Sequence, residues 1–324
     1  MKGVVAINPG GADQLAYVER PKPTIEENQL LIEVHATAIN RTDILQREGK
    51  SGYATNPIIG IEVAGVVVDS SDPQVSIGER VMGLVNGGAY AEYAIMPAKR
   101  AIKIPNSLSF EEAAAIPEVF LTAYQTLYWI GKLQASESVL IHAGGSGVGT
   151  AAIQLAKQLS KAQVLVTAGS ANKLKVCREL GADVTINYKE QDFEEEVKKE
   201  TDGKGVSLIL DFIGASYWER NYQSIAVDGR WVLIGVLGGS TVEKVRLMDI
   251  MAKRVQLTGT LLTPRSDVYK AELSEDFSSR VLPLFENGRI QPIIDTVFPI
   301  EEVQKAHERM EANQNIGKIL LKVR

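Results

Sequence analysis

The chain has 324 residues, which is enough for two domains of ordinary size and too long for one hydrophobic core. Hydrophobic residues make up 45% of it and charged residues 23%, a mixture typical of soluble globular proteins. The net charge of −5 gives no electrostatic reason to expect nucleic acid or an anionic membrane as partner. No apolar stretch approaches the ~20 residues of a membrane span, and none near the start suits a signal peptide. We therefore expect a cytoplasmic protein.

One cysteine, Cys177, and three histidines occur in the whole sequence. A single cysteine excludes an intrachain disulfide and a cysteine-rich structural zinc site. His35, His142 and His307 have no second His, Cys or carboxylate at the spacing of metal ligands. We therefore predict no bound metal, structural or surface roles for the histidines, and a buried apolar role for Cys177.

The first ~115 residues contain short segments in which apolar residues alternate with period 2, as in half-buried strands. Residues 31–39 show the pattern, and residues 61–68 and 80–84 continue it. Clusters of glycine and proline separate these segments, at 21–23, 49–52 and 86–88. This part of the chain is therefore predicted to form a β barrel or sandwich.

From Ser138 onward, apolar strands alternate with helices. Residues 139–142 are a predicted strand, 148–159 a helix and 164–167 a second strand. Continuous apolar strands separated by helices indicate a parallel sheet that is covered on both faces. We therefore predict that this part is a doubly wound α/β fold.

A glycine-rich turn, with the sequence HAGGSGVGTAA over residues 142–152, joins the first of these strands to its helix. Glycines let the backbone approach a pyrophosphate, and the helix N terminus offers it free N–H groups and partial positive charge. Gly149 and Ala152 would let the helix pack closely on the sheet. Ser146 stands where the second glycine of G-x-G-x-x-G belongs, which indicates a slightly different pyrophosphate path. Because strand, turn and helix all occur together, we predict a dinucleotide site.

The choice of cofactor follows from an absence of acidic residues. An NAD-binding fold of this type normally places Asp or Glu about 20 residues after the turn, where it binds the ribose 2′-hydroxyl. Residues 144–177 contain neither. Ser170 and Lys173 instead offer a hydroxyl and a positive charge, which suit a 2′-phosphate. We therefore predict NADP(H) as the cofactor.

Eight segments of the sequence carry a resemblance to a known family: 38–43, 60–65, 114–118, 142–152, 187–189, 214–219, 228–233 and 311–318. Over essentially its whole length the chain resembles the zinc-free quinone oxidoreductase branch of the medium-chain dehydrogenase/reductases. Within that branch it is most similar to the p53-inducible quinone oxidoreductase group.

The resemblance implies an α/β protein with a GroES-like catalytic domain over residues 1–118, closed by residues 287–324. A Rossmann domain that binds NADPH would occupy residues 119–286, with the active site in the cleft. Zinc alcohol dehydrogenases of the superfamily carry a cysteine where Asn40 stands and a histidine where Ile61 stands, whereas Glu62 and Asp43 are retained here. The resemblance and the cysteine count therefore both predict that no zinc is bound.

The resemblance also implies site residues. Contacts to the 2′-phosphate and adenosine would be Ser170, Lys173 and Tyr188, and contacts to the pyrophosphate Gly145, Ser146, Gly147 and Val148. Further cofactor contacts would be Thr122, Ser216, Val236, Leu237, Thr260, Leu261, Leu262 and Asn315. Asn40, Asp43 and Tyr53 would lie near the substrate. Because the segment 49–56 is shorter than in animal members, Tyr53 is either a site residue or an exposed loop aromatic.

The implied activity is direct hydride transfer from C4 of NADPH to a quinone or another electron-poor acceptor. A quinone is already strongly electrophilic, so a Lewis-acid metal is unnecessary. The protein would position the reactants and exclude water. Asn40 and Tyr53 would donate hydrogen bonds to the oxygen that gains charge, and Asp43 would order Asn40 or the nicotinamide ribose.

Two other functions are compatible with the sequence. The same hydride geometry could reduce the activated C=C bond of an enone or 2-alkenal, with a tyrosine delivering the proton. Alternatively, the chain could be an NADPH-binding regulatory or structural protein with little turnover. In each case we predict a homodimer, because the last strand of the nucleotide domain, at residues 255–260, would otherwise leave an apolar sheet edge exposed.

Overall fold

The computed structural model describes residues 1–52 and 54–324 of the chain, so Tyr53 lies outside the described residues. The chain folds into two compact units. Unit 1 consists of Met1–Leu121 and Leu262–Arg324, and unit 2 consists of Thr122–Leu261. In the described part of the chain, no helix is long and apolar enough to cross a membrane.

The strands of unit 1 are β1 (Lys2–Ala6), β2 (Leu15–Glu19), β3 (Gln29–Ala38), β4 (Glu62–Ser70), β5 (Arg80–Leu84), β6 (Tyr93–Pro97), β7 (Ile102–Lys103), and, near the C terminus, β14 (Ile294–Pro299) and β15 (Lys318–Lys322). Those of unit 2 are β8 (Ser138–Ile141), β9 (Gln163–Ala168), β10 (Val184–Asn187), β11 (Val206–Asp211), β12 (Ile225–Leu233) and β13 (Gln256–Gly259).

The helices follow the same division. Unit 1 contains α1 (Arg41–Arg47), α2 (Phe110–Ala114), α3 (Pro117–Tyr124, which ends in unit 2), α9 (Asp267–Glu286) and α10 (Val303–Glu311). Unit 2 contains α4 (Gly147–Leu155), α5 (Ala171–Glu179), α6 (Phe193–Glu200), α7 (Trp218–Ser224) and α8 (Leu247–Lys253).

Unit 2 is built on a six-stranded sheet with the order β10-β9-β8-β11-β12-β13, and all of its strands are parallel. Its central strands are almost wholly buried, which explains why they read as continuous apolar runs. In chain order this arrangement is 3-2-1-4-5-6, the order of a Rossmann fold. The order reverses at β8, so the turn after β8 lies at the position where such folds bind dinucleotides.

Unit 1 is built on a mostly antiparallel sheet with the order β14-β15-β3-β4-β5-β7, and β6 also pairs with β3. The C-terminal strand β15 pairs with β3, so that residues 256 or more apart in sequence become neighbours. Its core includes buried side chains of β3, β4, β5 and β15, such as Ile32, Val63, Val81 and Leu321. This pairing is what places the start of β15 against the end of β3.

The boundaries of the two units differ from the domain boundaries that we predicted from the sequence. Residues 262–286, expected in the nucleotide domain, are grouped with unit 1. They form α9 and the segment before it, and the contacts of α9 explain the grouping: Asp267 pairs with Arg100, and Phe285 packs edge-on against Phe120 at a centroid distance of 4.9 Å. The first boundary lies at 121/122 rather than 118/119.

Candidate functional site

The glycine-rich turn of unit 2 follows β8 and ends at Ser146, which caps α4. The Ser146 side chain accepts a hydrogen bond from the backbone N–H of Gly149 at 3.1 Å. A Cβ at Gly149 would lie 2.5 Å from the carbonyl oxygen of Ala143, so only glycine allows this close packing of helix on turn. Gly145, Ser146, Gly147 and Val148, the predicted pyrophosphate residues, thus form the turn and the N terminus of α4.

The predicted 2′-phosphate residues follow the neighbouring strand β9. Ser170 caps α5 by accepting a hydrogen bond from the Lys173 backbone N–H at 3.4 Å. The Lys173 side chain passes over the turn, because three of its carbons lie 3.0–3.1 Å from where a Gly145 Cβ would be. Tyr188, after β10, places its hydroxyl against Gly169 in the same way. The structure therefore groups Ser170, Lys173 and Tyr188 around the end of β9, with Lys173 over the glycine-rich turn.

A buried hydrogen-bond network joins the ends of β8 and β9, the strands that lead into these turns. His142 Nε2 lies 2.7 Å from Asn221 Oδ1, and His142 Nδ1 lies 2.9 Å from Thr167 Oγ1. Asn221 in turn donates to Asp211 at 3.1 Å. Burial lowers the pKa of His142, which keeps its ring neutral. This confirms that His142 is a structural residue with both ring nitrogens hydrogen-bonded.

Several other predicted cofactor residues of unit 2 cluster at the carboxyl ends of β11, β12 and β13. The Ser216 hydroxyl lies against Gly238, and Leu237 donates from its backbone N–H to the carbonyl oxygen of Phe212 at 3.1 Å. Val236 and Leu237 are exposed. Thr260 is buried, Leu261 is exposed, and Thr122 is buried at the start of the unit. Leu262 and Asn315 belong to unit 1.

A buried polar cluster lies where β3, β4 and β15 meet in unit 1. Lys318 Nζ donates to Glu62 Oε1 at 2.9 Å, to Asn40 Oδ1 at 2.7 Å and to the Ile39 carbonyl oxygen at 3.1 Å. The Asn40 amide donates to Glu62 Oε1 at 2.7 Å. Glu62 Oε2 accepts from the backbone N–H of Glu118 at 2.8 Å. All three donor positions of the ammonium are therefore satisfied, as burial of a charge requires.

Asp43, in the first turn of α1, joins the same region. Its Oδ2 accepts hydrogen bonds from the Asn40 backbone N–H at 2.7 Å and from the Tyr90 hydroxyl at 2.9 Å. Burial raises the pKa of Asp43 to about 7, although these hydrogen bonds oppose the shift. Burial, reinforced by Glu62, raises the pKa of Glu118 to about 8. Within the described residues, no partner accepts or donates at Glu118 Oε2.

These contacts bear on the expected role of Asn40. Its side-chain oxygen is bound by Lys318, and its amide nitrogen donates to Glu62 and, at 3.4 Å, to the Ala38 carbonyl. The Asn40 amide is thus engaged within the protein, and its donation to an acceptor oxygen stays a prediction. Asp43 accepts a hydrogen bond from the Asn40 backbone, and its expected role towards Asn40 or the nicotinamide ribose stays a prediction.

Lys318 and Glu118 were not assigned a role by sequence reasoning. Both lie within motifs of the resemblance, but neither neighbours Asn40 or Glu62 in sequence. A lysine that precedes three apolar residues in the strand KILLK was the available signal. Among residues 1–52 and 54–324, no group of three or more His, Cys, Asp or Glu could hold a metal ion.

The chain matches known families and structures over most of its length. Residues 147–287 match the family "Zinc-binding dehydrogenase", and residues 26–106 match "Alcohol dehydrogenase GroES-like domain". The chain is 32% identical to the human synaptic vesicle membrane protein VAT-1 homolog, over 96% of this chain and 84% of that protein.

Two solved structures are similar to the chain. Escherichia coli quinone oxidoreductase complexed with NADPH superimposes with a TM-score of 0.91 and 30% identity over 100% of both chains. JamJ enoyl reductase superimposes with a TM-score of 0.87 and 26% identity, over 99% of this chain and 98% of that one.

A Rossmann unit with a glycine-rich turn, joined to a β-rich GroES-like unit, defines a nicotinamide-nucleotide oxidoreductase. The chain belongs to the medium-chain dehydrogenase/reductase superfamily, and its structural neighbours include quinone oxidoreductases.

Proposed function

We propose that this protein is an NADPH-dependent reductase that transfers a hydride to quinones without zinc. The preference for NADPH rests on the position of Lys173 over Gly145. It also rests on the segment around them, residues 144–177, which contains no carboxylate. An ammonium beside the glycine-rich turn attracts a 2′-phosphate, which an acidic residue there would repel. The E. coli quinone oxidoreductase, complexed with NADPH, supports the same cofactor.

The residues of the chain would hold the cofactor through two helix N termini. Gly145–Gly147 and the first N–H groups of α4 bind the pyrophosphate, and Ser170 and Lys173 bind the 2′-phosphate. NADPH, when bound, supplies the hydride from C4 of its nicotinamide. Ser216, Val236, Leu237, Thr260 and Leu261 lie at the same ends of the strands and complete the part of the site in unit 2. The resemblance alone supports Thr122, Leu262 and Asn315 as further cofactor contacts.

The absence of zinc is proposed from the chemistry of the polar cluster. Asn40 replaces a thiolate of the zinc members, and Ile61 replaces an imidazole. The Lys318 ammonium already neutralises Glu62, so a divalent cation there would meet a neighbouring positive charge. The residues present therefore do not fit a zinc ion.

Asp43 and Asn40 act in this proposal as positioning residues. Asp43 fixes the backbone of Asn40 at the start of α1, and Lys318 and Glu62 fix its side chain. Tyr53 remains a proposed hydrogen-bond donor to the acceptor, on the strength of the resemblance.

The function is tested by steady-state NADPH oxidation with ortho- and para-quinones. We expect turnover with quinones, weaker turnover with NADH, and no oxidation of ethanol. Oxidation of ethanol without turnover of any quinone would overturn the proposal. Tight NADPH binding without turnover of any acceptor would instead support the regulatory or structural role.

Reduction of an activated C=C bond is the second candidate, favoured by the similarity to JamJ enoyl reductase. That reaction needs a proton at the α-carbon, which Tyr53 would supply. A Tyr53→Phe variant that retains quinone reduction and loses enone reduction would separate the two activities. Equal effects on both would argue that Tyr53 is not the proton donor.

We also propose that the protein is a homodimer. β13 is the last strand of its sheet, and all four of its residues are exposed. Leu257 on this strand and Met248 and Met251 on α8 are exposed apolar residues of the same unit. Pairing of two β13 strands across a two-fold axis would cover this edge.

A further inference from the structure

A cavity of about 330 Å³ lies within unit 1. It is bounded by α1, by residues 54–56, by residues 86–87 and by the beginning of α9. Its polar lining includes Asn56, Asn86, Arg265, Asp267 and Lys270. None of these residues has a role in the function proposed above.

Lys270 is the buried cation of this cavity. It is only 5% exposed, and it lines the cavity. The nearest carboxylate of the lining, Asp267, is paired with Arg100. Because that carboxylate is already paired, the positive charge of Lys270 would attract an anionic group that enters the cavity.

The asparagines of the lining also present donors. Asn56 Oδ1 accepts from the Ile58 backbone N–H at 2.9 Å, and Asn86 Oδ1 accepts from Arg100 at 2.7 Å. Both oxygens are therefore engaged. The side-chain amino groups of Asn56 and Asn86 make no hydrogen bond to the described part of the protein. The cavity thus offers N–H donors while its one described carboxylate is neutralised.

We propose that this cavity binds the electron acceptor and that Lys270 selects acceptors carrying an anionic group, such as a carboxylate or sulfonate on the quinone ring. The two asparagine amides complement such a ligand, because carboxylate, sulfonate and quinone oxygens are all hydrogen-bond acceptors. The volume suits a one- or two-ring compound, since small-molecule pockets begin at about 300 Å³. This inference rests on the proposed quinone reductase function.

The test compares ortho-naphthoquinone with its sulfonate in steady-state NADPH oxidation. The selectivity is the ratio of kcat/KM for the sulfonate to kcat/KM for the parent quinone, measured for wild type and for Lys270→Met. Intrinsic differences in reactivity between the two quinones cancel when variants are compared. We expect the ratio to fall about tenfold in Lys270→Met, the size of one charge interaction of moderate strength.

Two further variants control for charge and for folding. Lys270→Arg retains the charge and should retain most of the selectivity. Lys305→Met removes an exposed lysine of the same unit, which pairs with Glu302 on the surface, and should leave the ratio unchanged. A ratio that is unaltered in Lys270→Met, or that falls equally in Lys305→Met, would overturn the inference while leaving quinone reduction intact.

If wild type reduces neither quinone, the proposed function fails and the cavity is tested by binding alone. Isothermal titration calorimetry then compares the Kd of the sulfonate for wild type with its Kd for Lys270→Met. Binding that weakens about tenfold in the variant supports the cavity assignment, and equal or absent binding overturns it.

Discussion

Lys318 Nζ lies 2.9 Å from Glu62 Oε1, and both side chains are almost completely buried. A buried ion pair is weak evidence of net stabilisation, but breaking it from one side leaves an uncompensated charge. We expect Lys318→Met to lower the free energy of unfolding by about 3–5 kcal/mol. The double variant Lys318→Met/Glu62→Gln should recover much of this loss, as measured by urea unfolding.

Lys322, four residues further along β15, provides the control. It pairs with Glu111 at 3.2 Å, but its side chain is 54% exposed. Lys322→Met should therefore change the stability by less than about 1 kcal/mol. Equal losses in the two single variants would contradict the view that burial makes the Lys318 pair critical.

Lys173 is predicted to bind the 2′-phosphate of NADPH. Replacing it with alanine removes a charge-assisted hydrogen bond worth about 1.5–3 kcal/mol, so Kd for NADPH should rise about 10- to 100-fold. Kd for NADH should stay within about twofold, because NADH has no phosphate there. Lys175→Ala, at an exposed position of the same helix, is the control. Similar weakening of both nucleotides by Lys173→Ala would reject the assignment.

Gly149 should not tolerate a side chain. Its Cβ would lie 2.5 Å from the Ala143 carbonyl oxygen, whereas a Cβ at Gly259 would meet nothing within 4 Å. We expect Gly149→Ala to destabilise the protein by about 1–3 kcal/mol, as overpacking does. Gly259→Ala should be nearly neutral in the same thermal or urea unfolding experiment. A neutral Gly149→Ala would show that the turn can move away from α4.

Because His307 is buried, we expect the stability of the protein to depend on pH. Burial, reinforced by Arg47, lowers the pKa of His307 from 6.5 to about 3. Below the unfolded value the unfolded chain binds a proton that the folded chain does not, so stability falls as the pH drops. Between pH 6.5 and pH 5 this one group should remove about 1.6 kcal/mol.

The His307 effect is isolated by comparison with His307→Leu, which cannot titrate. Buried carboxyl groups such as Glu118, whose pKa is raised, act in the opposite direction over part of the range. The measured quantity is therefore the difference between wild type and variant in how unfolding free energy changes with pH. If the two profiles ran parallel from pH 7 to pH 5, His307 would not be neutral and buried in solution.

Leu257 tests the proposed dimer. A lysine on an edge strand opposes pairing between strands, so Leu257→Lys should shift the protein from dimer to monomer in sedimentation velocity experiments. Ile77→Lys changes an exposed apolar residue of unit 1 and should leave the dimer intact. A monomeric wild type at micromolar concentration would disprove the proposal directly.

Local patterns in the sequence predicted the Rossmann unit well. The strand, glycine-rich turn and helix around Gly147 are contiguous, and burial on both faces leaves a readable apolar run in β8 and β9. The prediction of this part of the fold succeeded because it depends on residues within one βαβ segment. The roles of Ser170 and Lys173, which rest on their place after the second strand, stay predictions.

Relationships between distant residues could not be predicted in this way. The contact of Lys318 with Glu62 spans 256 residues and arises only when β15 pairs with β3. The contacts of the Asn40 side chain with Lys318 and Glu62 arise from the same pairing and could not be foreseen either. The assignment of α9 to unit 1 likewise depends on tertiary contacts of Asp267 and Phe285.

The buried ammonium of Lys318 also limits how this scaffold could be redesigned. Installing zinc by Asn40→Cys and Ile61→His would supply two ligand types of the metal-dependent relatives. The ion would still be repelled by the Lys318 ammonium, which is bound to Glu62. A third substitution, of Lys318 by a neutral residue, would be needed to free that carboxylate. An evolutionary route between metal-bound and metal-free enzymes would therefore cross an intermediate in which Glu62 faces either both cations or neither.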